Sequence, residues 1–227
     1  MDMKNIVITG ASRGIGRELA LQFAAKGNKV WALARDSEAL LSLEKEQTGI
    51  AAIVTDINEI ENAVKDIKES VPSIDLLIHN AAAFINKPFK EMAYADMQGL
   101  YHTNVFAPYF LSQGLLELMD VRGQILAISS VGGIGGSLKF PGLSVYSSSK
   151  GALNIIVECL AEELKETGLT INGLALGSSA TEMFKSAFPD FEAATKPGEM
   201  AQFIVNFAET AVGMVHGKVY PVSSQNP

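Results

Sequence analysis

A chain of 227 residues is long enough for one well-filled core, and a formal net charge of −7 with scattered Lys and Arg argues against a nucleic-acid surface. No apolar run approaches the roughly 20 residues of a membrane span, and the first, Ile6 to Thr9, is too short for a signal peptide, so a soluble cytoplasmic protein is expected. The single cysteine, Cys159, excludes a disulfide within the chain, and His79, His102 and His216 lie too far apart to suggest a metal site.

Lys4 to Thr9 is a compact β-branched run without polar alternation, as expected of a strand buried on both faces. Gly10-Ala11-Ser12-Arg13-Gly14-Ile15-Gly16 follows at once, and then an amphipathic pattern of Leu19, Ala20, Phe23 and Ala24 that ends at Gly27. The order strand, glycine turn, helix carries chemistry. Glycines let the backbone approach a pyrophosphate closely, and a helix N-terminus offers that anion free N–H groups and partial positive charge. Dinucleotide binding by Gly10, Ser12, Arg13, Gly14, Ile15 and Gly16 is therefore expected. The next run, Lys29 to Ala34, ends at Arg35, where an NAD-binding chain would place Asp or Glu on the ribose hydroxyls. Arg35 and Arg13 suit a 2′-phosphate instead, so NADP(H) is expected in preference to NAD(H).

Ile50 to Thr55 reads as a third strand closed by Asp56-Ile57, Ile57 to Val71 as a helix, and Ile74 to His79 as a fourth strand ending in Asn80-Ala81-Ala82. Small residues at that end leave room for a ligand, which in open parallel sheets binds along the carboxyl edge. One long helix is predicted over Asp96 to Met119, where Asn104, among apolar neighbours, reads by itself as a satisfied core amide. Gln124 to Ser129 is the fifth strand, with Ser130 at its end and a flexible Val131-Gly132-Gly133 behind it. A helix then begins near Val145. Its Ala152, Leu153, Ile156, Val157, Leu160 and Leu164 recur at three- and four-residue steps, and Cys159 on that apolar face reads as a buried thiol. Tyr146 and Lys150 share one face of this helix; a cation held there would lower the tyrosine pKa and make the phenol a proton donor and acceptor near neutral pH. Thr170 to Ala175 and Lys218 to Val222 complete seven strands separated by helices. A single domain over residues 1–227 follows, built as a Rossmann-type, doubly wound parallel α/β sheet with helices on both faces, a three-layer α/β/α sandwich. Its topology brings the Gly10 turn, Asn80, Ser130 and Gly177 into one cleft.

These residues resemble the short-chain dehydrogenase/reductase family over almost the whole chain. Thr9 to Gly16 is similar to its T-G-x-x-x-G-x-G turn, Asp56-Ile57 to its adenine-binding pair, His79-Asn80-Ala81-Ala82 to its N-N-A-G, and Tyr146 with Lys150 to its Y-x-x-x-K. The resemblance implies a catalytic group of Asn104, Ser130, Tyr146 and Lys150, with Tyr146 exchanging a proton with the substrate oxygen, Ser130 holding that oxygen, Lys150 on the nicotinamide ribose and Asn104 anchoring a water. It further implies cofactor contacts from Asn80, Ala81, Ala82, Gly177, Ser179 and Thr181. A carbonyl or alcohol substrate of 3-oxoacyl-reductase or carbonyl-reductase type and a homodimer or homotetramer are implied as well.

The chain departs from the family pattern in four places. The loop between Ser130 and Tyr146 is lengthened, with extra residues around Ser137 to Gly142; Leu176 stands where the family has the Pro of P-G-x-x-x-T; His79 and Ala82 replace the first Asn and the glycine of N-N-A-G; and the chain ends Ser223-Ser224-Gln225-Asn226-Pro227 where relatives often have D-G-G. Phe84, Ile85, Phe89, Phe140, Phe184, Phe188 and Phe191 lie in the loops expected over the nicotinamide, where they either make an apolar substrate site or pack the loops down. The alternative to a reductase is a catalytically inactive NADP-binding redox sensor or scaffold.

Overall fold

The computed structural model describes residues 3–188, 190 and 192–223. Seven parallel strands form one sheet: β1 Asn5–Thr9, β2 Lys29–Ala34, β3 Ile50–Val54, β4 Ile74–His79, β5 Met119–Ser130, β6 Thr170–Leu176 and β7 Lys218–Val222, in the order β3-β2-β1-β4-β5-β6-β7. Alternate side chains of each strand point to opposite faces, and here both faces are covered. Ile6, Ile8, Leu76, Ile78, Leu126 and Ile128 pack with helices α1 (Gly14–Ala25), α2 (Ser37–Glu46) and α8 (Pro197–Ala211). Val7, Leu77, Ile125 and Ala127 pack with α3 (Ile60–Ser70), α5 (Ala107–Leu115) and α6 (Ser144–Glu163). That is why the strands read as unbroken apolar runs, and the doubly wound Rossmann-type sheet is the architecture the sequence implies.

The predicted helix over Asp96 to Met119 is not one helix. It begins as α4 (Tyr94–Tyr101), passes through a π-helical turn at His102–Phe106, resumes as α5 and closes in a 3-10 turn at Leu116–Leu118. Met119, its expected last residue, already pairs with Ile74 in the sheet, so β5 starts earlier than the predicted Gln124. Cys159 is exposed rather than buried, as is its α6 neighbour Ile155, because only part of the apolar stripe, including Leu153 and Val157, turns to the sheet. Among the described residues no helix is long and apolar enough to cross a membrane.

β1 pairs with β2 on one side and β4 on the other, so successive connections leave the centre of the sheet in opposite directions and a crevice opens over the carboxyl end of β1. That end is clamped. The Thr9 hydroxyl accepts the backbone N–H groups of Asn80 and Ala81, each at 3.1 Å, and donates to Ile78 O at 3.3 Å. The Asn80 amide donates back to Thr9 O at 3.0 Å and Gly10 O at 3.1 Å. Two glycines make this approach possible: Gly10 has φ +68° and a side chain there would come 2.8 Å from Ala81 Cα, while a side chain at Gly16 would overlap Gly10 O and the Asn80 amide.

Thr9 is almost fully buried, so Thr9→Val keeps its shape and deprives two backbone N–H groups of their acceptor. A loss of about 1–3 kcal/mol in unfolding free energy is expected from urea denaturation; a wild-type value would show that the clamp contributes nothing to the β1–β4 junction.

Candidate active site

A cavity of about 1060 Å³ runs along the carboxyl ends of the strands, at the upper end of the size of small-molecule sites. It is lined at one end by Arg35, Asp56 and Ile57, in the middle by the Gly10–Gly16 turn with Asn80, Ala81 and Ala82, and at the other by Ser130, Tyr146, Lys150, Gly177, Ser179 and Thr181. The topology thus brings together every residue expected to take part in catalysis or cofactor binding except Asn104, which is not among the lining residues.

The first end has the chemistry of a dinucleotide site. α1 begins at Gly14 with no side-chain cap, which leaves its first N–H groups for an anion at the cavity wall. Arg35 Nη1 stands 3.6 Å from Asp56 Oδ2, and Arg13 Nη1 3.3 Å from Glu182 Oε2, both guanidiniums being well exposed. The acid next to Arg35, Asp36, accepts the Ala39 N–H at 3.0 Å as the N-cap of α2 and so is engaged in starting that helix. Further along, the Ser179 hydroxyl is buried with no hydrogen-bond partner among the described residues, and it lines the cavity. A long cavity, uncapped N–H groups, two cations and a buried unpartnered hydroxyl together fit a nicotinamide dinucleotide. Thr181 accepts the Phe184 N–H at 3.1 Å as the N-cap of α7 (Glu182–Ala187), so its hydroxyl serves the fold as well.

At the other end, Ser130 hydrogen-bonds the Tyr146 hydroxyl. The serine oxygen also accepts the Gly132 N–H at 3.2 Å, which fixes its direction. Lys150, buried, donates from Nζ to Ile128 O at 2.9 Å, and burial lowers its pKa to about 8. The Tyr146 pKa is raised by desolvation, an effect the Ser130 hydrogen bond opposes. The expectation that Lys150 lowers the tyrosine pKa is therefore not met by the side chains as they stand: the ammonium is turned to a carbonyl, and removal of the phenol from water dominates.

Asn104 lies in the π-helical turn and is fully buried. Its Oδ1 accepts the Ala83 N–H at 2.8 Å, and its Nδ2 donates to Ala83 O and to Ser149 Oγ, each at 3.0 Å. Ser149 Oγ donates in turn to Tyr146 O at 2.7 Å, so one amide ties the segment after β4 to the first turn of α6. Val131-Gly132-Gly133, expected to be flexible, is a 3-10 turn packed on α6, where a side chain at Gly133 would come 2.6 Å from the Lys150 backbone. His79, standing at the first Asn of N-N-A-G, is buried against Ser112 at 2.8 Å; burial lowers its pKa to about 4 and keeps it neutral, a clip between β4 and α5.

The lengthened loop does not fill the space between Ser130 and Tyr146. Ser137 Oγ donates to Val131 O at 2.6 Å and Ile134 O at 2.9 Å, and Lys87 N donates to Gly142 O at 3.0 Å, which folds the loop back along the cavity rim. Of the loop phenylalanines, Phe84, Phe140, Phe184 and Phe188 line the cavity, whereas Phe89 is 85 % exposed and, like Ile85, is not part of its wall. Phe191 and residues 224–227 lie outside the described residues. Sequence reasoning missed Glu182 as the partner of Arg13 and Ser149 as the link from Asn104 to Tyr146; neither carries a periodic signal, since each acts through one contact made only by the fold.

The model of the short chain dehydrogenase family matches residues 4–192. Gluconate 5-dehydrogenase of Gluconobacter oxydans (strain 621H) is 36% identical over 195 residues, covering 82% of this chain and 75% of its own. Carbonyl reductase [NADPH] 2 of Sus scrofa is 30% identical over 190 residues, covering 84% and 78%. Among solved structures, BdcA in complex with NADPH superposes with a TM-score of 0.87 at 27% identity, covering 96% of this chain and 92% of that one. With this match, and with a serine, a tyrosine and a lysine gathered at one end of a dinucleotide-shaped cavity, the chain belongs to the short-chain dehydrogenase family and is an oxidoreductase acting on alcohol and carbonyl groups.

Proposed function

We propose that this chain, acting as one dinucleotide-binding domain, is an NADP(H)-dependent oxidoreductase that interconverts a small ketone and its secondary alcohol. The observation that carries the reading is that Ser130, Tyr146 and the buried Lys150 line the same cavity as the glycine turn. When bound, the nicotinamide supplies or takes the hydride at the substrate carbon. Tyr146 then holds the proton exchanged with the substrate oxygen, and Ser130 orients that oxygen and stabilises the charge it develops. Lys150, which is cationic below about pH 8, reaches the nicotinamide ribose. Asn104 positions Tyr146 through Ser149 and holds the Ala83 backbone beside the site. Gly10 to Gly16 hold the pyrophosphate, Asp56 and Ile57 the adenine, Asn80 to Ala82 the middle of the cofactor, and Gly177, Ser179 and Thr181 the carboxamide end.

Preference for NADP(H) rests on Arg35 at the adenine end, on Arg13 in the glycine turn and on Asp36, whose carboxylate is taken up as a helix cap. Self-association is supported by apolar side chains left uncovered on and beside α5 and α6, among them Phe106 at 45 %, Phe110 at 43 % and Ile155 at 58 % exposure.

Tyr146→Phe is expected to lower kcat by roughly 10²–10⁴-fold while NADPH still binds, read from NADPH absorbance over a panel of ketones; unchanged turnover would remove the tyrosine from the chemistry and leave the inactive NADP-binding sensor or scaffold as the better account. Arg35→Ala should weaken NADPH by roughly 10-fold or more in titration calorimetry with little effect on NADH, since charge-assisted hydrogen bonds to the 2′-phosphate are lost; equal losses for the two cofactors would refute the assignment. In sedimentation at micromolar concentration a dimer or tetramer is expected, and a monomer would contradict it.

A further inference from the structure

Four phenylalanines from three separate segments form a continuous wall that starts at the reacting phenol. The Phe84 ring, just after β4, lies 4.8 Å from the Tyr146 ring at 57°. Phe188, after α7, is the hub: its ring is 6.2 Å from Phe84, 6.2 Å from Phe140 of the lengthened loop and 5.3 Å from Phe184 of α7. Leu138 and Leu143 extend the same wall along that loop.

Charge is distributed in the opposite sense. Among the described lining residues the cations are Arg13, Arg35 and Lys150: Arg35 is paired with Asp56 at the adenine end, Arg13 with Glu182, and Lys150 is buried on Ile128 O. Glu192 also lines the cavity, so an anionic substrate would meet a further carboxylate and no free cation among those residues. A polyol laid along the phenylalanines would give up its water without gaining partners.

We propose that the substrate is an uncharged ketone, or its secondary alcohol, whose carbonyl is carried on or directly beside an aromatic ring. This rests on the oxidoreductase reading above and names its substrate class. Rings favour offset or edge-to-face contact at centroid separations of about 4.5–7 Å, the spacing this wall repeats. With the carbonyl oxygen at Ser130 and Tyr146, an adjoining ring falls against Phe84 and Phe188. The carbonyl carbon takes a hydride, two electrons, from reduced nicotinamide, and the oxygen takes the Tyr146 proton, which water restores; ketone, NADPH and one proton give alcohol and NADP⁺. The lengthened loop is the specificity-determining element, because it brings Phe140 to the hub and is braced there by Ser137.

The test compares tetralone, cyclohexanone, an acetoacetate ester and a ketogluconate by NADPH oxidation, with Phe188→Ala and Phe140→Ala as variants. Phe140 is 51 % exposed, so its removal leaves the core intact. Tetralone is expected to have a kcat/KM at least about tenfold above the other three, and both variants to raise its KM severalfold without changing NADPH affinity. A second readout needs no turnover: saturation-transfer NMR with NADP⁺ present should show tetralone ring protons in contact with the wild-type protein and lose that signal in Phe188→Ala. Turnover of ketogluconate, the ester or cyclohexanone equal to or above tetralone overturns the proposal and leaves the oxidoreductase standing. Absence of turnover on every ketone, with Tyr146→Phe indistinguishable from wild type, overturns the oxidoreductase reading itself. Unchanged tetralone KM and NMR signal in both phenylalanine variants overturns the role of the wall.

Discussion

The junction between β1 and β4 is the constraint on which the site depends. One threonine hydroxyl and one asparagine amide hold the carboxyl ends of the two strands together where the chain changes direction across the sheet. Without that close approach the glycine turn would not sit beside Asn80 and Ala81, and the start of α1 would not face the same crevice as the ends of β5 and β6. The backbone geometry comes first, and the reactive side chains are placed by it.

At the reacting end, burial sets the chemistry. An ammonium placed away from water loses affinity for its proton and a phenol there holds its proton more tightly, so two groups of nearly equal acidity in water are driven apart, the lysine becoming the stronger acid. The serine hydrogen bond opposes the shift of the phenol, and the Ile128 carbonyl gives the ammonium its acceptor. In the proposed reaction, proton exchange between substrate and phenol is tuned by groups from two elements, β5 and α6, neither of which carries the complete site.

Much of this was legible in the residues. Strands buried on both faces leave apolar runs, the glycine turn sits between a strand and a helix, and Tyr146 and Lys150 stand one helical turn apart; these are local patterns. The π-helical turn at His102–Phe106 was hidden by the apolar periodicity that runs through it, although Pro108, which has no N–H to offer the Asn104 carbonyl, stands just after it. The exposure of Cys159 was missed for a related reason: an apolar stripe wider than the face the sheet covers leaves some of its members outside. The ring contacts of Phe188 join segments from three loops, so only the folded chain reveals them.

The segment from Ser137 to Gly142 is held by a few hydrogen bonds of its own and contributes no residue to either packed layer beside the sheet. Substitutions at Leu138 or Phe140 therefore alter the shape of the entrance at small cost in stability, since changes at exposed positions usually shift it by only about 0.5 kcal/mol. If the loop sets selectivity as proposed, mutational tolerance and chemical selectivity coincide in the same few residues, and new preferences can arise there one substitution at a time while the machinery beneath stays fixed.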